Sequence, residues 1–110
     1  MNLVVLIGRL TKDPELKDIN GKAKLNFTLA VDRPPDGVDF IDCVTWLNNA
    51  EVIAKWTKKG HMLAVWGRLR KSTWTDKDDK KQSRTEVDVK GFQFLESKKK
   101  DETDDFDLPF

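Results

Sequence analysis

The first apolar run, "NLVVLIGRL" (2–10), is hydrophobic at odd and even positions alike. That pattern predicts a strand covered on both faces, by the core on one side and on the other by something else, such as a second subunit. "KLNFTLAVDR" (24–33) instead alternates strictly, with Leu25, Phe27, Leu29 and Val31 on one face, and predicts a half-buried strand. Between them, "TKDPELKDINGKAK" carries Asp-Pro and Asn-Gly turn signals, the second favouring a tight hairpin. "PPDG" (34–37) breaks the pattern before a third strand, "VDFIDCVTWL" (38–47). Along it Phe40, Asp42, Val44 and Trp46 share one face, and Ile41, Cys43, Thr45 and Leu47 the other. The second set makes the better core face, which leaves Phe40 and Trp46 turned outward.

The period then changes. In "NNAEVIAKWTKKG" (48–60), Ala50, Ile53, Ala54 and Thr57 fall on one helical face, with Asn48 or Asn49 as cap and Gly60 as stop. Trp56, beside Val52 and Ile53, is expected to pack into the core. "HMLAVWGRLRKSTW" and "SRTEVDVKGFQFL" return to strand chemistry across the polar connector "TDKDDKKQ". Three strands, a helix and two strands, without repeats or βαβ alternation, predict an all-β domain over residues 1–96. The expected architecture is a five-stranded antiparallel OB-fold barrel with one helix between strands 3 and 4. Residues 97–103 hold no apolar side chain and are expected to be a short disordered linker before an acidic tip at 104–110.

Charge sharpens this division. The net charge of +1 over 110 residues conceals a tail, 101–110, with five carboxylates and no Lys or Arg. Residues 1–100 therefore hold 20 basic and 14 acidic side chains, a net of +6. A basic body with an acidic tail points to nucleic-acid contact plus an interaction segment. The single Cys43 and single His61 supply neither a disulfide nor a metal site of the usual ligand spacings, and no cofactor is expected. The N-terminal apolar run lacks a basic flank and a cleavage site and is too short to span a membrane, so a cytosolic protein is expected.

Four tryptophans and no tyrosine are an unusual aromatic load for so polar a chain. Trp74 lies in "GRLRKSTWTDKDDKKQSR", among Arg68, Arg70, Lys71, Lys77, Lys80, Lys81 and Arg84. A ring placed there suits base stacking, with cations close enough to meet phosphates. No groove-sized helix carrying base-reading side chains is apparent, so unpaired strand is the expected ligand rather than duplex. Taken singly, Lys17, Lys22, Lys24 and Lys90 belong to a solvated face. "DKDD" (76–79) lacks the Gly and distal Glu of a calcium loop and reads as a charged hairpin tip.

Three stretches, "MNLVVLIGRLTKDPEL", "CVTWLNNAEVIAKWTKKG" and "GRLRKSTWTD", closed by "DDFDLPF", together resemble the bacterial single-stranded DNA-binding protein family, including its phage-encoded members. The resemblance covers essentially the whole chain. It implies an OB-fold homotetramer that coats single-stranded DNA in replication, recombination and repair, in the cytoplasm (the host's if phage-encoded), without catalysis. Carried over by position, it implies stacking by Phe40, Trp46 and Trp74 and backbone contacts by Arg9, Lys12, Lys59, Arg68, Arg70 and Lys71. It further implies that Asp104, Asp105, Phe106, Asp107, Leu108, Pro109 and Phe110 dock partner proteins. Two departures stand out: the short "DRPPDG" offers no stacking aromatic after the second strand, and Asp42 sits on the presumed DNA face.

Two alternatives remain open on the residues alone. One is an RNA-binding OB module of the cold-shock type; the other is an OB subunit whose exposed aromatics serve a protein partner. One His and no recognisable nucleophile or metal set argue against an enzyme.

Overall fold

The computed structural model describes residues 1–95, so the linker and tip expected at 97–110 lie outside the described residues. Strands β1 (Val4–Leu10), β3 (Lys22–Arg33), β4 (Gly37–Trp46), β5 (Met62–Thr75) and β6 (Lys81–Phe94) correspond to the five expected from the sequence. The helix α1 (Leu47–Trp56) falls between β4 and β5. The pairing order β1-β5-β6-β4-β3 closes on itself because β1 also pairs with β3, making a five-stranded barrel of the OB type. A sixth strand, β2 (Glu15–Ile19), hangs on the outside of β3. It is the other arm of the Asn-Gly hairpin: Asn20 (φ 54°) and Gly21 (φ 82°) take the left-handed conformations that such a turn requires. The Gly21 amide donates to Asp18 Oδ1 at 2.8 Å. Every ladder runs antiparallel except a short parallel contact that joins β4 to β6 at Cys43↔Val87 and Val44↔Asp88.

The inward residues follow the alternation. Leu25, Phe27 and Leu29 of β3 meet Cys43 of β4, Leu63 and Val65 of β5, and Val87 and Val89 of β6 in one core. Ala50 and Ile53 of α1 plug one end of this barrel, fully buried, and Thr57 is buried beside them, as the helical spacing predicts. Buried apolar area of this kind is the main favourable term for a domain of this size.

The helix ends differ from expectation. Its N-cap is Trp46, extended, with no side-chain cap; Asn49 Nδ2 instead donates to the Lys90 carbonyl at 3.2 Å. At the other end Thr57 is already extended and its hydroxyl donates to the Ile53 carbonyl at 2.6 Å, so the helix stops three residues before the turn at Gly60 (φ 89°). Trp56 is 50% exposed rather than in the core, because Ala50, Ile53 and Thr57 fill the inward side, and the Lys55 ammonium lies 5.4 Å from its ring centroid. Leu47 is likewise 54% exposed rather than inward. It holds φ 60° where the chain turns from β4 into α1, which takes its side chain off the strand alternation.

A left-handed conformation costs a branched residue about 1–2 kcal/mol, and glycine returns part of that through its freer unfolded state. Leu47→Gly is therefore expected to stabilise the fold by about 0.5–1 kcal/mol, read as a higher urea midpoint at unchanged slope.

Strand β1 keeps its two-sided character. Gly8 and Leu10 are buried, while Leu3, Val5 and Ile7 are exposed, with Val5 directly opposite the partly exposed Trp66 of β5. No helix among the described residues is long and apolar enough to cross a membrane.

Candidate nucleic-acid interface

Cross-strand register gathers the outward residues on one continuous face. Cys43 belongs to the main core cluster, and alternation puts Phe40, Asp42, Val44 and Trp46 on the other side of β4, where Phe40 is exposed, Trp46 half-buried and Val44 itself buried. Opposite them on β3 stand Ala30, Thr28, Asn26 and Lys24 respectively. Lys24 in turn faces Lys17 of β2, and Ala30 faces Arg9 of β1. Across the parallel contact Val44 meets Asp88, which lies opposite Arg68. Alternation along β5 and β6 then brings Arg70, Ser72 and Trp74 to the same face, opposite Glu86, Arg84 and Gln82. One surface thus holds the three rings singled out from the sequence, together with Arg9, Arg68 and Arg70.

The rings differ in how they are presented. Phe40 is 67% exposed and Trp74 is 47% exposed. Trp74 lines an open cleft of about 420 Å³ on the β5–β6 hairpin with Lys71, Thr73, Thr75, Lys81, Gln82 and Ser83. Lys71 belongs to the opposite face of the ribbon from Arg70, yet the cleft brings it beside the ring. Trp46 is half-buried, and the Lys24 ammonium lies 5.0 Å from its ring centroid. Such a pair is worth about 0.5–1 kcal/mol at an exposed site.

The remaining cations gather at the end of the barrel where β1 runs into β2. Arg9 Nη1 donates to the Gly60 carbonyl at 2.8 Å, and the Lys59 amide donates to Asp13 Oδ1 at 2.8 Å. Lys12 lines a small concavity of about 140 Å³ with Asn26, Phe27, Thr28, Asp42, Cys43, Arg84 and Glu86.

Of the carboxylates embedded in this face, Asp42 was singled out from the sequence, whereas Asp88 and Glu86 were not. Asp88 is buried, held by Arg68 Nε at 3.3 Å and Lys90 Nζ at 3.2 Å; Glu86 is buried with Arg84 Nη2 at 3.7 Å. Asp42 accepts the Thr28 hydroxyl at 3.0 Å. The available signal was the alternation of Glu86 and Asp88 with Val87 and Val89 in "TEVDVK", which puts the carboxylates on the outward side. Burial, with Asp42 and Glu86 nearby, pushes the Cys43 thiol up to about 12, which makes it an inert core group rather than a reactive one.

At the hairpin tip Asp76 closes its own turn. It accepts Gln82 Nε2 at 2.9 Å and the backbone amides of Lys80 and Asp78, and these bonds hold its carboxyl below the usual carboxylate range.

A closed five-stranded barrel with one helix between β4 and β5 is the architecture of the OB-fold class. Residues 1–95 match the single-strand binding protein family, and the chain belongs to that family. Over 103 residues it is 44% identical to the single-stranded DNA-binding protein of Halalkalibacterium halodurans, covering 87% of this chain and 61% of that protein. It is 46% identical to single-stranded DNA-binding protein 3 of Listeria innocua, covering 89% of this chain and 66% of the relative. Single-stranded DNA-binding protein A of Bacillus subtilis is 45% identical, covering 89% and 61% respectively. The chain thus spans less than two thirds of the length of these relatives.

Proposed function

We propose that this protein binds single-stranded DNA without sequence preference, and thereby protects it during replication, recombination and repair. The observation that carries this reading is the common face of Phe40, Trp46 and Trp74 with Arg68 and Arg70. Rings on such a face stack on any unpaired base, and cations between them meet the phosphates, so the surface favours unpaired strand over base identity. Base pairs in a duplex keep their faces stacked on one another and leave the rings nothing to cover. The names of the relatives support the same ligand. Such a function makes and breaks no covalent bond, and the arrangement asks for no cofactor.

The proposed assembly is a homotetramer. Leu3, Val5 and Ile7 with Trp66 form an exposed apolar strip on β1 and β5, the kind of surface that a second copy would cover. The proposed recruiting element is Asp104 to Phe110. Apolar anchors among carboxylates can seat Phe110 in a pocket while the charges meet a basic rim. Only seven residues, 97–103, separate this tip from the expected domain, so a partner docked there would stand close to the DNA-binding body.

Competition decides the ligand. A labelled DNA single strand held by the full chain is expected to be displaced by unlabelled DNA single strands of any composition, and far less well by duplex or RNA. Displacement by RNA at equal or lower concentration would favour an RNA-binding barrel of the same architecture.

A further inference from the structure

Several cations of the outer face are already engaged by carboxylates. Arg68 and Lys90 both hold Asp88, and Arg84 holds Glu86, so each must release a carboxylate before it can give itself fully to a phosphate. Lys17, Lys22 and Lys24, on the β2–β3 hairpin, have no carboxylate within ion-pair distance among the described residues. Register lines two of them up with a ring: Lys17 faces Lys24, and Lys24 faces Trp46. Lys22 follows two residues before Lys24 on the same side of β3.

The Lys24 ammonium rests 5.0 Å from the centroid of the Trp46 ring. A base and an ammonium cannot occupy one ring face together. Base stacking on an aromatic side chain outweighs a cation–π contact at an exposed site, so the base takes the ring. The displaced ammonium sits on a flexible stem beside a nucleotide that has just been fixed, within reach of its phosphate.

We propose that Lys24 is the centre of a phosphate subsite beside Trp46: it covers the ring in the free protein, moves to the adjoining phosphate when a base stacks there, and leads the strand over Lys17 and Lys22 on the β2–β3 hairpin. The proposal rests on the single-stranded DNA reading above and extends its path beyond β3, β4 and the β5–β6 hairpin.

The salt dependence of binding tests it. With the full chain and a thymidine oligonucleotide as probe, log affinity is plotted against log salt for wild type, Lys24→Gln, Lys24→Arg and Lys55→Gln. Lys24→Gln is expected to lower the slope by about 0.7 for each protomer engaged, with affinity falling about fivefold at 0.1 M salt and recovering toward 1 M. Lys24→Arg should retain the wild-type slope. Lys55→Gln, which removes an equal charge beside Trp56 on the helix, should leave it unchanged. A slope unaltered by Lys24→Gln overturns the proposal, and so does a rise in affinity at constant slope, which would make Lys24 only a cover for the ring. An equal drop for Lys55→Gln also overturns it, because the effect would then report net charge. If wild type itself fails to bind the oligonucleotide, the functional reading falls with it; if wild type binds and only the Lys24 slope is unmoved, this inference alone falls.

Discussion

Replacing Phe40, Trp46 and Trp74 together by alanine is expected to remove most of the affinity for single-stranded DNA. Each stacked base is worth about 1–3 kcal/mol, so each single substitution should weaken binding by roughly 5- to 150-fold. The three should combine to at least a hundredfold if their bases stack independently. Phe40 and Trp74 stand well exposed, and their removal should leave stability within about 0.5 kcal/mol of wild type. Trp46 is half-buried and packs against the Lys24 ammonium, so its removal will also cost some stability. Its share of binding should be the smallest of the three, since a base must first displace the Lys24 ammonium. Equilibrium titration of the single and triple variants, alongside urea unfolding, separates the two effects. A triple variant that is folded and binds as wild type does would remove the stacking face from the proposal.

The second prediction concerns the barrel that holds this face in shape. At Gly67, where β5 slips by one residue against β6, a Cβ would run into the carbonyl of Asp88 and the Cα of Val89. These are backbone atoms of a paired strand, so no side chain can swing aside to relieve the clash. Gly67→Ala is expected to cost about 3 kcal/mol or more, because β5 must pull away from β6 where Arg68 and Asp88 meet. Urea unfolding reads the loss, and an unchanged midpoint would show that the two strands do not approach as described. Gly91, under the Trp66 indole, is a softer case, since a side chain rather than backbone would meet the added carbon.

Much of this architecture was legible in the sequence, for identifiable reasons. Strict alternation in "KLNFTLAVDR" and the shift of period at Ala50 and Ile53 report burial directly, because one face of each element faces the core. Phe40 turned outward for the same reason. Strand β2 was visible only as a hairpin signal, since "ELKDI" is exposed throughout and carries no burial pattern of its own. Leu47 and Trp56 went the other way from expectation. A left-handed residue at 47 breaks the alternation, and a ten-residue helix laid across a barrel end has room to bury only Ala50, Ile53 and their neighbours.

Of the candidate interface, residue types and strand positions could be read in advance, but pairing between distant strands could not. That Lys24 sits over Trp46, or that Arg68 is held by Asp88, depends on the register of β3 with β4 and of β5 with β6. Local propensity does not encode that register. Lys24, read by itself as one more solvated lysine, changes meaning once its neighbour across the ladder is known.

The decisive measurement is a titration of the full chain's tryptophan fluorescence with DNA single strands of increasing length, set beside a duplex of the same sequence. If the outer face of β3, β4 and the β5–β6 hairpin is a stacking surface for unpaired bases, single strands will quench the emission saturably, more steeply as length grows to span the three rings, and the duplex will not. Unquenched emission at saturating single strand, or tighter binding of the duplex, would contradict it.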